Sequence, residues 1–180
     1  AQKIAAQEIT NSIDLYEYQS FLLQGVTGSG KTEIYINAIE KCISQERRAI
    51  VLVPEIALTH QIINRLAGRF PNKVAVLHSG LTPGERYDQW WKINRGEYPI
   101  VVGSRSAIFS PQMEVGLIVI DEEHEWTYKQ IDPEPRYHTR DVAIKLAKLT
   151  GATLVMGSAS PDVDTRYRAD LGVHKLLLLP

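Results

Sequence analysis

Short apolar runs alternate with longer amphipathic stretches along this chain. The runs Phe21–Leu23, Ile50–Val53, Val74–Leu77, Ile100–Val102, Leu117–Ile120 and Thr153–Met156 are apolar at nearly every position rather than at every second one. A strand of that kind must be covered on both faces, so each run predicts a buried parallel strand. The stretches 32–45, 56–69, 83–95 and 138–150 carry their apolar residues at helical spacing. This alternation predicts βαβ crossovers and an α/β domain of three layers, with helices on both sides of a mostly parallel sheet. Functional groups then belong in the loops at the carboxyl ends of the strands. Trp90 and Trp91 are adjacent and cannot share one side of a helix, so one of them is expected to fill the core. The one long irregular connection runs from His124 to Arg136, and the tail from Val173 to Pro180 reads as a last strand.

Between the first run and the first helical stretch lies Gly25-Val26-Thr27-Gly28-Ser29-Gly30-Lys31-Thr32, a complete G-x-x-x-x-G-K-[ST] sequence. The strand–loop–helix setting is the one that this motif needs. Its glycines let successive backbone N–H groups turn inward around a polyphosphate, and the following helix points its positive end at the same spot. Lys31 can reach the β- and γ-phosphates, and the Thr32 hydroxyl can ligate Mg²⁺. ATP or ADP with Mg²⁺ is the expected ligand.

Composition narrows the picture without redirecting it. At 180 residues and 44% apolar content the chain can bury one core and reads as a single domain, 1–180. A net charge of −1 argues against wholesale polyanion binding and leaves room for a local basic or aromatic patch. Cys42 is the only cysteine, so neither an internal disulfide nor a zinc cluster is expected in this piece, which suits a reducing cytoplasm. No stretch approaches the length of a membrane span. The start, Ala1-Gln2-Lys3-Ile4, is no signal peptide, and without an initiator Met the chain reads as an excised piece.

Asp121-Glu122-Glu123-His124 follows the run Leu117–Ile120 directly. An acidic residue ending a buried strand opposite a phosphate loop is where an NTPase holds its Mg²⁺. Asp121 is therefore the expected metal residue, and Glu122 the residue that orients and deprotonates the attacking water. A nucleotide kinase or a GTPase of this size would need lid arginines or an N-K-x-D-like segment, and neither is visible. A kinase-like enzyme and an inactive nucleotide-gated binding module are the alternatives. The paired carboxylates favour a machine that hydrolyses ATP to move something.

These residues resemble the first motor domain of superfamily-two helicases with a DEAH-like tetrad, and within them the bacterial replication-restart helicases. The likeness runs through nearly the whole chain. It covers residues 25–35, Val53-Pro-Glu-Ile-Ala-Leu-Thr59, His78-Ser-Gly-Leu81 with Glu85-Arg86, and Gly103-Ser-Arg-Ser-Ala-Ile-Phe109. It continues through the tetrad, Tyr128-Lys-Gln130, residues 135–143 and Gly157-Ser-Ala-Ser-Pro161. Ser160 stands where Thr is usual, which keeps the hydroxyl, and residues 131–134 lengthen the loop.

The resemblance implies a RecA-like fold and a set of roles. Gln2 resembles the glutamine that reads the adenine edge, with Ala5 and Ile9 spaced after it. His124 would link the metal site to Ser158 and Ser160. Thr59, Ser79, Ser104 and Ser106, with nearby helix N-termini and the Arg105 guanidinium, would bind the DNA backbone. Trp126, Tyr128, Lys129 and Arg136 form an aromatic and cationic loop suited to stacking on unpaired bases. Implied partners are single-stranded and forked DNA, a second RecA-like lobe that supplies arginine fingers, primosome components and single-strand-binding proteins. The implied activity is ATP-driven unwinding in the 3′ to 5′ direction, on the nucleoid. The zinc-binding and N-terminal DNA-binding regions of such helicases would lie outside this chain.

Overall fold

The computed structural model describes residues 1–54 and 60–180. Helix α1 (Gln2–Asp14) leads into β1 (Gln19–Gln24), α2 (Lys31–Ser44) and β2 (Arg48–Leu52). Then come α3 (His60–Arg69), β3 (Val74–Leu77), α4 (Pro83–Asn94), β4 (Ile100–Gly103), a 3₁₀ turn at Arg105–Phe109 and β5 (Val115–Ile120). A second 3₁₀ turn at Trp126–Tyr128 precedes β6 (Lys129–Gln130) and β7 (Tyr137–His138). The chain continues with α5 (Thr139–Thr150), β8 (Thr153–Ser158), α6 (Val163–Asp170) and β9 (Lys175–Leu178).

Seven strands form one sheet in the order β3-β4-β2-β5-β8-β1-β9. Every neighbouring pair in it is parallel. The consecutive apolar runs follow from this arrangement, because successive side chains point to opposite faces and both faces are covered. On β5, Leu117 and Val119 join a core with Ile9, Ile39 and Leu66, beneath α1, α2 and α3. Ile118 and Ile120 join a second core with Ile93, Ala143 and Ala169, beneath α4, α5 and α6. The expected three-layer architecture is therefore present, and its sheet is wholly parallel. Gly103 ends β4 where a Cβ would lie 2.4 Å from the Leu77 carbonyl oxygen, so the edge pair β3–β4 closes only around glycine.

The sequence pattern misses α1 and α6. Helix α1 buries Ala5, Ile9, Ser12 and Ile13, and its one polar member is satisfied by a 2.9 Å bond between the Ser12 and Thr153 hydroxyls. Helix α6 buries only Thr165 and Ala169, too little apolar signal to stand out. The expected helix 56–69 begins outside the described residues and is seen from His60 onward.

Two expectations need correction. Neither Trp90 nor Trp91 fills the core. Helix α4 packs beside the edge strand β3 and buries Ile93 alone, leaving both indoles exposed and in edge-to-face contact. The stretch His124–Arg136 is not irregular throughout either. It folds as the second 3₁₀ turn followed by the antiparallel β6–β7 pair, with Gln130 opposite Tyr137. Among the described residues no helix is long and apolar enough to cross a membrane.

Candidate functional site

The parallel register brings the loops after β1, β5 and β8 to one edge of the sheet. Gln24 is level with Ser158, and Ile120 with Met156. The Gly25 amide donates to the Ser158 carbonyl at 3.1 Å, and the Glu123 amide to the Gly157 carbonyl at 3.0 Å. Backbone bonds thus splice the phosphate loop to the Gly-Ser-Ala-Ser block, and that block to the acidic tetrad.

A pocket of about 330 Å³ opens there, lined by Thr27, Gly28, Gly30, Lys31, Thr32, Glu33, Arg65, Asp121 and Glu122. Lys31 begins α2 and is buried, with Nζ donating to the Gly25 carbonyl at 2.7 Å and lying 3.8 Å from Glu122 Oε1. Gly28 and Gly30 have φ of +84° and +90°, the left-handed region that favours glycine. Gly30 caps α2 without a side chain, so the Lys31 and Thr32 N–H groups have no side-chain oxygen to bond. The buried Ser29 hydroxyl also lacks a partner among the described residues. A helix start without a side-chain cap and a buried lysine at one cavity fit a polyphosphate. Gln2 lies over this loop, its amide donating to the Ser29 carbonyl at 2.7 Å, and it retains an acceptor oxygen and a second N–H.

Asp121 is held by two phenols. Tyr35 donates to Asp121 Oδ1 at 2.9 Å, and Tyr128 donates to the Asp121 backbone carbonyl at 2.7 Å. Burial pushes the Asp121 carboxyl above its ordinary value, while the Tyr35 bond and Lys31 pull it partly back. Burial and the Asp121 charge together hold the Tyr35 phenol well above its usual range, so it remains a donor. The phenol reaches this position because residue 157 is glycine: a Cβ there would lie 1.7 Å from the Tyr35 hydroxyl. Among the described residues no three His, Cys, Asp or Glu side chains converge on a metal position. Asp121 and Thr32 with phosphate and water oxygens match the way Mg²⁺ is commonly held, through few protein ligands and the substrate's phosphates.

The three acidic residues of the tetrad have different surroundings. Glu122, at a φ of 46°, is part-exposed beside Lys31 and lies 3.7 Å from His124 Nδ1. Glu123 is 1% exposed and points the other way. It pairs with Arg140 of α5 at 3.2 Å, accepts from the Thr165 hydroxyl at 2.8 Å, and accepts from the Asp162 amide at 2.8 Å. His124 Nδ1 lies 2.7 Å from the Ser158 hydroxyl, which also accepts from the Ser160 amide at 3.0 Å. The exposed Ser160 is thereby tied in through its backbone. Tyr35, Arg65, Glu123 and Arg140 had no role in the sequence reading. Only the aromatic at residue 35, one turn past Lys31 on a buried helix face, left a legible trace.

The residues expected at DNA scatter more widely. Thr59 lies outside the described residues. Ser79, Ser104, Arg105 and Ser106 line a second cleft of about 340 Å³ beside β3 and β4. Ser104 is buried, and Arg105 donates to the Thr127 carbonyl at 3.3 Å. The N-terminus of α4 is not an open phosphate site, because Thr82 and Glu85 close a capping box there and put a carboxylate on it. Trp126 is 73% exposed, and Lys129 and Arg136 are exposed with it. Tyr128 is a correction: at 1% exposure its ring has no face open to a base, and it serves the core and Asp121 instead.

A family model described as DEAD/DEAH box helicase matches residues 1–168. The chain is 53% identical over 178 residues to replication restart protein PriA of Bacillus subtilis, covering 99% of this chain and 22% of that protein. It is 47% identical over 183 residues to replication restart protein PriA of Synechocystis, with the same coverage, 99% and 22%. The chain therefore spans about a fifth of the length of these relatives. Among solved structures, RecG bound to a three-way DNA junction superposes with a TM-score of 0.72 at 25% identity, over 99% of this chain and 23% of that one. The Hef helicase domain of Pyrococcus furiosus superposes with a TM-score of 0.69 at 21% identity, over 98% and 36%.

The neighbouring glutamates should separate in stability. Glu123→Ala removes the buried partner of Arg140, which keeps the part-exposed Asp162 and Asp164, and strips the Thr165 hydroxyl and Asp162 amide of their acceptor. It is expected to cost about 3 kcal/mol or more in urea unfolding. Glu122→Ala should stay within about 1 kcal/mol of the parent. Asp121 supplies a pH test. A raised folded-state pKa means that its stabilising contribution is complete below the ordinary value of 3.8 and is lost as pH rises through the raised one. Asp121→Asn should therefore unfold at higher urea than the parent at pH 7, and the gap should close as the pH falls toward 4.

Proposed function

The chain belongs to the DEAD/DEAH box helicase family, and we propose that it is the ATP-binding motor lobe of a DNA helicase that acts in replication restart. Its fold is the RecA-like lobe of superfamily-two helicases. The observation that carries the reading is the meeting of Lys31, Asp121 and Glu122 around one pocket, from segments some 90 residues apart in sequence. Relatives named as replication restart proteins support the cellular role, and a neighbour solved on a DNA junction supports the substrate.

In this reading the phosphate-loop amides and Lys31 hold the triphosphate, and Gln2 reads the adenine edge from its seat on the loop. Thr32 and Asp121 would hold Mg²⁺, which when bound neutralises charge on the β- and γ-phosphate oxygens. Tyr35 fixes the Asp121 carboxylate from behind. Glu122 orients the attacking water and takes its proton. His124, Ser158 and Ser160 carry the state of the pocket along the sheet edge. Ser79, Arg105, Ser106, Trp126, Lys129 and Arg136 face the DNA strand. A second RecA-like lobe completes the site with arginines, which contribute about 10³–10⁵ to turnover in comparable phosphoryl-transfer sites. Translocation runs 3′ to 5′ on forked DNA, with primosome components and single-strand-binding proteins as partners, in the bacterial cytoplasm at the nucleoid.

Two measurements test this. Saturating Mg-ATP at about 100 times Kd should stabilise the chain by about 2.7 kcal/mol in thermal unfolding, and Lys31→Ala should abolish that gain while keeping the parent's circular dichroism. Equal stabilisation of both proteins counts against the loop assignment. ATP turnover by the chain alone should stay slow with or without single-stranded DNA, and strong DNA stimulation would refute the split site.

A further inference from the structure

The cleft beside β3 and β4 is not used by the nucleotide pocket. Helix α4 lends it Arg86 and Trp90, the turn after β4 lends Arg105, Ser106 and Phe109, and Gln130 of β6 also lines it. Its volume of about 340 Å³ lies within the range of small-ligand pockets. Trp90 and Phe109 leave 44% and 56% of their surfaces open, although Ile93 of the same helix is fully buried. No carboxylate is among the described lining residues, and neither Arg86 nor Arg105 forms an ion pair among the described residues.

Part-exposed aromatic rings, each packed edge-to-face on one neighbour (Trp90 on Trp91, Phe109 on Tyr137), beside two guanidinium groups select a ligand that is flat and apolar in one part and anionic in the next. A nucleotide unit is such a ligand: its base stacks on aromatic rings, and its phosphates take bidentate bonds from arginine. The Gln130 amide gives one N–H to the Pro133 carbonyl at 2.9 Å and keeps its second N–H and its oxygen for a base edge. The cleft follows the carboxyl ends of β3 and β4, on the same sheet edge as the nucleotide pocket. An acidic peptide with an aromatic side chain would share part of this chemistry. The hydroxyls of Ser79 and Ser106 at the rim favour the strand, because hydroxyl donors suit successive phosphates.

We propose that this cleft takes one unstacked base of a DNA single strand, with Trp90 and Phe109 against the base and Arg86 and Arg105 on the flanking phosphates. The proposal rests on the DNA-motor reading and adds to it a discrete base site apart from the Trp126 loop.

The test compares the 180-residue chain and two variants by fluorescence anisotropy, using a labelled oligothymidylate and an abasic strand of equal length. Trp90→Leu should weaken oligothymidylate binding by roughly fivefold or more and leave abasic binding unchanged. Arg86→Met should weaken both strands alike, as loss of a phosphate contact does. Retained Mg-ATP stabilisation in each variant shows that the lobe is folded. Photocrosslinking with 5-iododeoxyuridine in the strand should map to Trp90 or Phe109. Equal effects of Trp90→Leu on both strands, or crosslinks confined to the Trp126 turn, overturn the base site while leaving the motor reading intact. Displacement of an acidic aromatic-ended peptide by Trp90→Leu, with unchanged DNA binding, reassigns the cleft to a protein partner and overturns it as well. A parent chain that binds neither strand removes the DNA reading and the proposal together.

Discussion

The ladder of backbone hydrogen bonds joining β5 to β8 and β8 to β1 is the constraint on which the rest of this molecule depends. Parallel pairing makes the three strands end level, with Ile120 beside Met156 and Gln24 beside Ser158. A lysine-bearing turn and a pair of carboxylates, distant along the chain, then emerge side by side. A parallel ladder tolerates little slippage when both faces are buried, since a shift by one residue would exchange the two apolar cores. Register and site geometry are thus one requirement. The apolar runs that make the sheet possible also determine where the charged groups appear.

Within that frame, Asp121 sits under opposing demands. Burial disfavours its charged form, and the Tyr35 hydroxyl and Lys31 favour it. Neither neighbour removes the carboxylate's need for a further positive partner. The pocket beside it is lined by Thr32 and Lys31, and in the proposed reading a Mg²⁺ ion accompanying the nucleotide would supply that positive charge. Gly157 makes room for the phenol that steadies this carboxylate.

Much of this was legible in the sequence. The six early apolar runs all became strands of the sheet, because full burial on both faces leaves an unambiguous trace. The phosphate loop was readable because the turn chemistry of Gly28 and Gly30 is stringent, and the tetrad because charged residues end a fully apolar run. Other features left no trace. Helix α1 hides behind Gln, Glu and Asn on its open side, and α6 has almost no apolar face. Trp126 and Tyr128 look alike in an aperiodic segment, yet a 3₁₀ turn sends one ring outward and the other into the core. Three acidic residues in a row do not reveal which is clamped, since Arg140, Asp162 and Thr165 reach Glu123 only through the fold. The two tryptophans of α4 stayed outside because their helix covers an edge strand, a position that local pattern does not encode.

The short turn Trp126–Tyr128 has three attachments. Its last residue holds the Asp121 carbonyl, its middle carbonyl holds Arg105, and the strand that leaves it is clasped by β7. Such a piece behaves as a crossbar. The outward indole therefore stands within one short turn of both the main chain of the buried carboxylate and the guanidinium beside β4.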